Sequence, residues 1–457
     1  MDFRTFIDLL DSEDEVLWVN TPVDPEYELG ALLQQAEARH KAIWFKHVTG
    51  SDFPVVGGVM STPERHALSI GKSPAQMDRE NGQGWASTIA AARANPLAAH
   101  IVDSGPAADV VLTGKDIDMT RLPVPRFFAR DTHKFITAGI GIALDPQTGI
   151  QNAGFYRAPL IDATHISVSA GATSQLNKIY QYTEQSGQSL AIAYAIGVPP
   201  ALLITAGCRI GRDESDMDIA GALQGTPIEL MKCQTNDLLV PARAEIIVEA
   251  IVDFQSHVEH TMGEFPDQYG STRSPVARVT AITHRKNAVF HTIMAGMNPE
   301  HNALGIYIYN QLRTELLQHL SGQFTCIQDI NVDITPPRTG NRAQATIAIN
   351  REHPCNPAEL IDAVFAFTYD CFPMGKSLQR VVVVNTDIDI RNPDDIEWAI
   401  SMRADAKEKI KVFSTLNRSG GSTARMGIDA TLASETADTG ERPTIPGAEK
   451  FKLSKYL

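Results

Sequence analysis

Glu245-Ile-Ile-Val-Glu-Ala-Ile-Val-Asp-Phe254 runs directly into Gln255-Ser-His-Val-Glu-His-Thr-Met-Gly-Glu-Phe-Pro-Asp-Gln-Tyr-Gly-Ser-Thr-Arg-Ser-Pro275. The first stretch is rich in β-branched residues, which predicts a strand inside a sheet. The second shows no sustained periodicity and reads as a long acidic loop. A loop of that length in a compact domain is either functional or disordered, and the apolar runs on both sides argue against disorder. It carries two glutamates, Glu259 and Glu264, spaced Glu-x4-Glu. Well upstream lies Asn152-Ala-Gly-Phe-Tyr-Arg157. One arginine and two carboxylates, brought together, make a proton-transfer site: the guanidinium holds one carboxylate ionised and the other is left to titrate nearer neutrality.

Around this stretch strand signals dominate: Asp109–Leu112, Phe135–Leu144, Leu190–Ile196, Ala201–Thr205, Val276–Thr283 and Ala288–Ile293, with helical segments near Ser174–Gln185 and Met217–Leu223. Many strands with few helices predict a barrel-like sheet. Upstream, a helical spacing over Pro25–His40, a strand at Phe53–Val59 and a short helix at Trp85–Ala94 read as an α/β domain. Downstream, His301–Leu320 predicts a long helix. Strands and helices then alternate again: Ala343–Asn350, a helix start at Asn356-Pro-Ala-Glu359, a buried strand at Arg380–Ile390 and a second start at Asn392-Pro-Asp-Asp395. Both starts place Asn at the cap and Pro at the first helical position. Ser419-Gly-Gly-Ser422 opens a tail read as irregular. The expected class is α+β, with an N-terminal α/β domain (1–110), a central domain (111–300), a linking helix (301–322) and a C-terminal α/β domain with its tail (323–457).

Of the 457 residues, 43% are hydrophobic and 21% charged, enough apolar content for large cores. The net charge of −14 disfavours nucleic acid and anionic membrane as partners, so local cations must draw in an acidic substrate. The first residues, MDFRTFIDLLDSEDEV, are acidic where a signal peptide is basic, and no apolar run is long enough to cross a membrane. Five cysteines without a CxxC pair read as reduced thiols of a cytoplasmic protein.

Gly225–Ala242 followed by Glu245-Ile-Ile-Val-Glu249, the Asn152-x4-Arg157 and Glu259-x4-Glu264 pairs, Arg380–Ile390 and Met426-Gly-Ile-Asp-Ala-Thr431 together resemble the UbiD family of prenylated-FMN-dependent decarboxylases, in order and spacing along most of the chain. The resemblance implies a flavin-reductase-like split β-barrel over the central domain and a C-terminal domain that builds a homo-oligomer, a dimer or hexamer. It implies reversible decarboxylation of an aromatic, heteroaromatic or α,β-unsaturated carboxylic acid, releasing CO2, with a flavin prenyltransferase as supplier of the cofactor. Glu264 is then the proton donor, with Asp267 as its substitute, and Glu259 pairs with Arg157 to anchor the substrate carboxylate.

The same resemblance implies a divalent metal, Mn or Mg, held by Asn152, Gln175 and Asp216, and a monovalent cation such as K+. Two of these positions depart from the family: Asp216 stands for a glutamate and Gln175 for a histidine. An aspartate and two amides still offer the oxygen donors that a hard cation takes. Gly154, Phe155, Ser174 and the segment Thr205-Ala206-Gly207-Cys208-Arg209 fall where the cofactor lies, Lys376 within reach of its phosphate, and His301 and Leu304 at the substrate pocket. As ordinary residues these read equally well as a strand-to-loop turn and a helix start. His257 and His260 invite a metal reading, but HVEH matches neither HExxH nor HxxEH, and both read as loop histidines. Two other classes stay open: a flavin-dependent oxidoreductase on the same barrel, and a non-catalytic flavin-binding accessory protein.

Overall fold

A computed structural model of the chain describes residues 1–77, 83–171, 174–264, 268–296, 298–333, 343–350, 352–370, 378–416 and 422–432. In it the acidic stretch is not a loop. Ile246–Glu264 and Gln268–His284 form the two arms of one antiparallel hairpin, in register from Ile246↔His284 at the base to Glu264↔Gln268 at the tip. The base is buried on both faces, whereas most of the outer half is solvated, so its side chains carry no apolar signature. Register shifts at Glu249/Ala250 and Asp253/His257 break the two-residue period as well.

The fold is mixed α+β. Among the described residues the central sheet is an open path, His165–Ser167, Gln268–His284, Ile246–Glu264, Leu190–Ile196, Ile140–Leu144, Gln151–Phe155, with Val110–Thr113 added beside Gln268–His284. Its ends do not pair, so the expected barrel-like sheet, a split β-barrel, is corrected to a sheet that is not closed into a barrel. A second correction concerns Ala201–Thr205, expected as a strand: Pro200–Gly207 is a helix. Proline at its first position pre-sets the helical φ, and burial on all sides removes the amphipathic pattern that would have marked it.

Phe290–His291 closes the N-terminal four-stranded sheet instead of the central one, running parallel to Val55–Val56. The two glutamates of Glu245–Glu249 are structural. Glu245 is fully buried and accepts Arg4 Nε and Nη2 (2.7 Å each) and the Val289 N–H (3.0 Å). Glu249 accepts the N–H groups of Gln234 (2.7 Å) and Thr235 (2.8 Å). A buried carboxylate needs such donors to offset its lost hydration.

Two compact units emerge among the described residues. The first is Met1–Gln311; the second comprises Leu312–Asp333 and the residues from Ala343 onward. The second carries a five-stranded sheet in the order Ile327–Asp333, Gln344–Ile349, Arg380–Asn385, Ser422–Asp429, Ile410–Leu416. Part of the expected irregular tail is thus a strand. The two helix starts form as read: Asn356 Oδ1 accepts the Ala358 N–H (3.1 Å), and Asn392 Oδ1 accepts the Asp394 N–H (3.0 Å). The expected single helix at 301–322 is two, Pro299–Ala303 and Ile306–Leu320.

Candidate active site

Gln151–Phe155 lies next to Ile140–Leu144 and delivers Arg157 just past its end. Gly154 leaves room for Tyr156, whose ring would stand 3.0 Å from a Cβ at that position. Arg157 Nη1 donates to Glu264 Oε2 at the tip of the long hairpin. Both side chains keep about a quarter of their surface (28% and 24%), so the pair is open to a ligand. A guanidinium paired with one carboxylate retains further donors, which a second carboxylate entering from solvent can take.

Glu259 is not part of this pair. It is exposed, and its register neighbour across the hairpin is Arg273. The reason is parity. Successive side chains of a strand alternate between faces, so an offset of five puts Glu259 and Glu264 on opposite sides. The residue that shares Glu264's face is His260, 1% exposed. Its Nε2 meets the hydroxyls of Ser169 (2.9 Å) and Ser274 (3.2 Å). Burial, and then the positive charge of Arg157, push His260 down to about 4. Burial and Arg157 do the same to His301, also to about 4. Two neutral imidazoles therefore stand within electrostatic range of one guanidinium. Leu304 is buried with Ala138 and Ile293, and Phe155 packs against that cluster, so His301, Leu304 and Phe155 gather near Arg157. Reading the hairpin as a loop hid His260; the signal available was the alternation Val258, His260, Met262, Glu264.

Of the three expected oxygen donors, Asn152 and Gln175 meet side chain to side chain, and Asp216 reaches the same strand at the next residue, Ala153. Asn152 Nδ2 donates to Gln175 Oε1 (3.0 Å), and Asp216 Oδ2 accepts the Ala153 N–H (2.9 Å). Tyr156, which the sequence reading passed over, donates its hydroxyl to Asn152 Oδ1 (2.7 Å). Asp216 is 3% exposed, and burial pushes its carboxyl up to about 7. A carboxyl in that state is short of positive charge, and a hard cation supplies it; one carboxylate and two amide oxygens suit such an ion. Among the described residues there is no cluster of three or more His, Cys, Asp or Glu, so any metal here rests on this mixed set.

Gln175 also ties the set to the segment after helix Pro200–Gly207, donating from Nε2 to the Ile210 carbonyl. Ser174 caps the helix that starts at Gln175, accepting the Asn177 N–H (3.2 Å). Ala206 and Cys208 pack on the main core, and burial pushes the Cys208 thiol up, out of any reactive range. A Cβ on Gly207 would lie 3.1 Å from the Leu304 carbonyl, so this glycine brings helix and pocket segment together. Arg209 is exposed on the same segment. Lys376 and Asp267 lie outside the described residues.

The chain matches three family models for 3-octaprenyl-4-hydroxybenzoate carboxy-lyase: the N-terminal domain over residues 7–83, the Rift-related domain over 100–298 and the C-terminal domain over 309–430. It is 31% identical to the UbiD-class enzyme HmfF of Pelotomaculum thermopropionicum, in an evolved dimeric form with prenylated FMN (TM-score 0.82) and in a complex with FMN (TM-score 0.83), each covering 100% of both chains. Vanillic acid decarboxylase of Sedimentibacter hydroxybenzoicus shares the fold at 21% identity (TM-score 0.79, 100% of this chain and 98% of that one). An uncharacterized Synechocystis protein, sll0936, is 28% identical over 94% of this chain and 89% of its own length.

Proposed function

The chain belongs to the UbiD family of carboxy-lyases, and from that premise we propose that it removes or adds CO2 at an sp2 carbon of an aromatic, heteroaromatic or α,β-unsaturated acid, with prenylated FMN as cofactor. The bond between Arg157 and Glu264 carries the reading. When bound, the cofactor supplies an electrophilic ring system that accepts the electron pair left as CO2 departs, which no side chain can do. Arg157 anchors the substrate carboxylate, its planar fork taking two oxygens at once. A carboxylate that loses a guanidinium partner takes up a proton more readily, so the incoming acid releases Glu264 to carry the proton that replaces CO2. Asn152, Gln175 and Asp216 hold a divalent cation, Mn or Mg, at the flavin phosphate. The segment 205–209 would contribute to holding the cofactor and a K+ ion, and Lys376 would supply a positive charge for the phosphate. His301 and Leu304 line the substrate pocket.

The division into 1–110, 111–300 with the cofactor, 301–322 and 323–457 completes the proposal, the last building a dimer or hexamer in the cytoplasm, with a flavin prenyltransferase upstream. Because Glu264 occupies the place expected of Glu259 beside Arg157, a second assignment has support: Glu264 orients Arg157 and Asp267 carries the proton.

Co-production with a flavin prenyltransferase and a screen for CO2 release test both. Glu264→Gln should keep its flavin spectrum and lose turnover by about 10²–10⁴-fold, the range of a general acid, while Asp267→Asn stays near wild type. The reverse pattern transfers the proton to Asp267. Full turnover in both variants removes the mechanism.

A further inference from the structure

The carboxylate-anchoring arginine is held at both ends. At its guanidinium stands Glu264. At its backbone, the Ser169 N–H donates to the Arg157 carbonyl (3.2 Å). Ser169 is 7% exposed, and its hydroxyl sits between Ser274 Oγ (3.4 Å) and His260 Nε2 (2.9 Å), both partners almost wholly buried. The edge of Phe135 closes this group from the side, with ring centroids 5.7 Å apart. Two hydroxyls and an imidazole nitrogen shut off from water hold one another in place through these contacts.

We propose that His260 is a positioning residue for Arg157, acting through Ser169. With its single proton on Nε2, a neutral imidazole donates to the Ser169 hydroxyl oxygen and leaves no N–H on Nδ1. Among the described residues Nδ1 is enclosed with no hydrogen-bond partner, so the ring makes its polar contacts on the serine side alone. Burial first, then the charges of Arg157 and His133, disfavour the charged form of the ring. Pinned through its side chain, Ser169 has a restrained backbone, and its N–H is the group on the Arg157 carbonyl. The guanidinium then starts from one fixed point at the end of strand Gln151–Phe155, where displacement by even an ångström is costly.

This inference rests on Arg157 as the anchor of the substrate carboxylate, and the experiment separates the two. Ser169→Ala and His260→Asn, each loaded with cofactor, should lower kcat/KM about ten- to hundredfold, mostly through KM, with the flavin spectrum unchanged. The double variant should lose no more than the worse single one, because one path is cut twice. Histidine-labelled protein, with His260→Asn used for assignment, should show a neutral imidazole at position 260 down to about pH 5. Wild-type kcat/KM in both single variants, additive losses in the double variant, or an imidazolium at pH 7 would each overturn the proposal. Arg157→Lys tests the anchor alone: undiminished turnover there defeats that reading, whereas loss there with undisturbed serine and histidine variants defeats only this one.

Discussion

Glu264 and Asp216 are carboxyl groups reached from the same strand, Gln151–Phe155, and their surroundings are opposite. Glu264 sits at a hairpin tip, a quarter exposed, with the Arg157 guanidinium on it. Asp216 starts a buried helix and accepts the backbone N–H of Ala153 on that strand. One acid has been given its cation and left accessible. The other is sealed without one, and its carboxyl rises to about 7. An accessible ion pair can exchange partners with an incoming acid, whereas a sealed, electron-rich oxygen cluster can only wait for a cation. On the proposed function, the residues at the end of this strand would carry the chemistry and those along it would retain the cofactor.

The comparison breaks most sharply at the arginine. Arg157→Lys keeps the positive charge and loses the fork, so a charge-only role predicts little change. Bidentate anchoring predicts a fall in kcat/KM of about a hundredfold. Steady-state kinetics with the cofactor loaded decides between them, and a fall under about threefold would show that charge alone suffices at this position.

On the sealed side the corresponding change is Tyr156→Phe. The hydroxyl orients Asn152 by donating to its Oδ1. Partners one step behind a ligand set typically contribute ten- to hundredfold in metal affinity. Titration of the purified protein with Mn2+ or Mg2+ should therefore show binding weakened about tenfold in Tyr156→Phe, while the Arg157–Glu264 pair and the substrate KM stay as they were. Unchanged metal affinity would mean that Asn152 needs no orienting; a raised KM would mean that the two sides are not separate.

How far the sequence reached these two sides differs for a physical reason. The oxygen donors Asn152, Gln175 and Asp216 were named by the family resemblance, and the helices read near Ser174–Gln185 and Met217–Leu223 lie where the structure has helices Gln175–Gln185 and Asp216–Gln224. The hairpin was missed. Its outer half is mostly solvated, so the short alternation Val258, His260, Met262, Glu264 was too weak to mark it, and the resemblance paired Glu259 with Arg157 where strand parity puts Glu264 instead. The open sheet and the exchange of Phe290–His291 into the N-terminal sheet depend on long-range pairing, which no local pattern encodes. The helix at Pro200–Gly207 was misread because a fully buried helix and a buried strand share the same apolar run.

The smallest effect on turnover should come from a third carboxyl, which sharpens what distinguishes Asp216. Glu37 ends the helix Glu28–Glu37 at 0% exposure. Its Oε2 accepts the Glu300 N–H (3.1 Å), and its Oε1 is enclosed without a partner. The nearby Arg65 donates elsewhere, to Glu15, Ser61 and the carbonyls of Gly58 and His40. Glu300 is turned to the Gly58 and Met60 N–H groups (2.7 Å each). Burial first, then the charge of Glu300, push Glu37 up to about 8. Its folded value therefore lies above the unfolded one, and the folded chain holds a proton that the unfolded chain has released. The stability this gives is fully present below about pH 4.5 and is lost as pH rises through about 8. Glutamine mimics the protonated acid, so Glu37→Gln should flatten the decline of stability between about pH 5 and about pH 9, by on the order of 1–3 kcal/mol at the alkaline end, with turnover unchanged. Denaturant midpoints across that range measure it. Parallel curves for wild type and variant would mean that Glu37 is ionised and compensated, and that a sealed carboxyl in this fold need not wait for a cation after all.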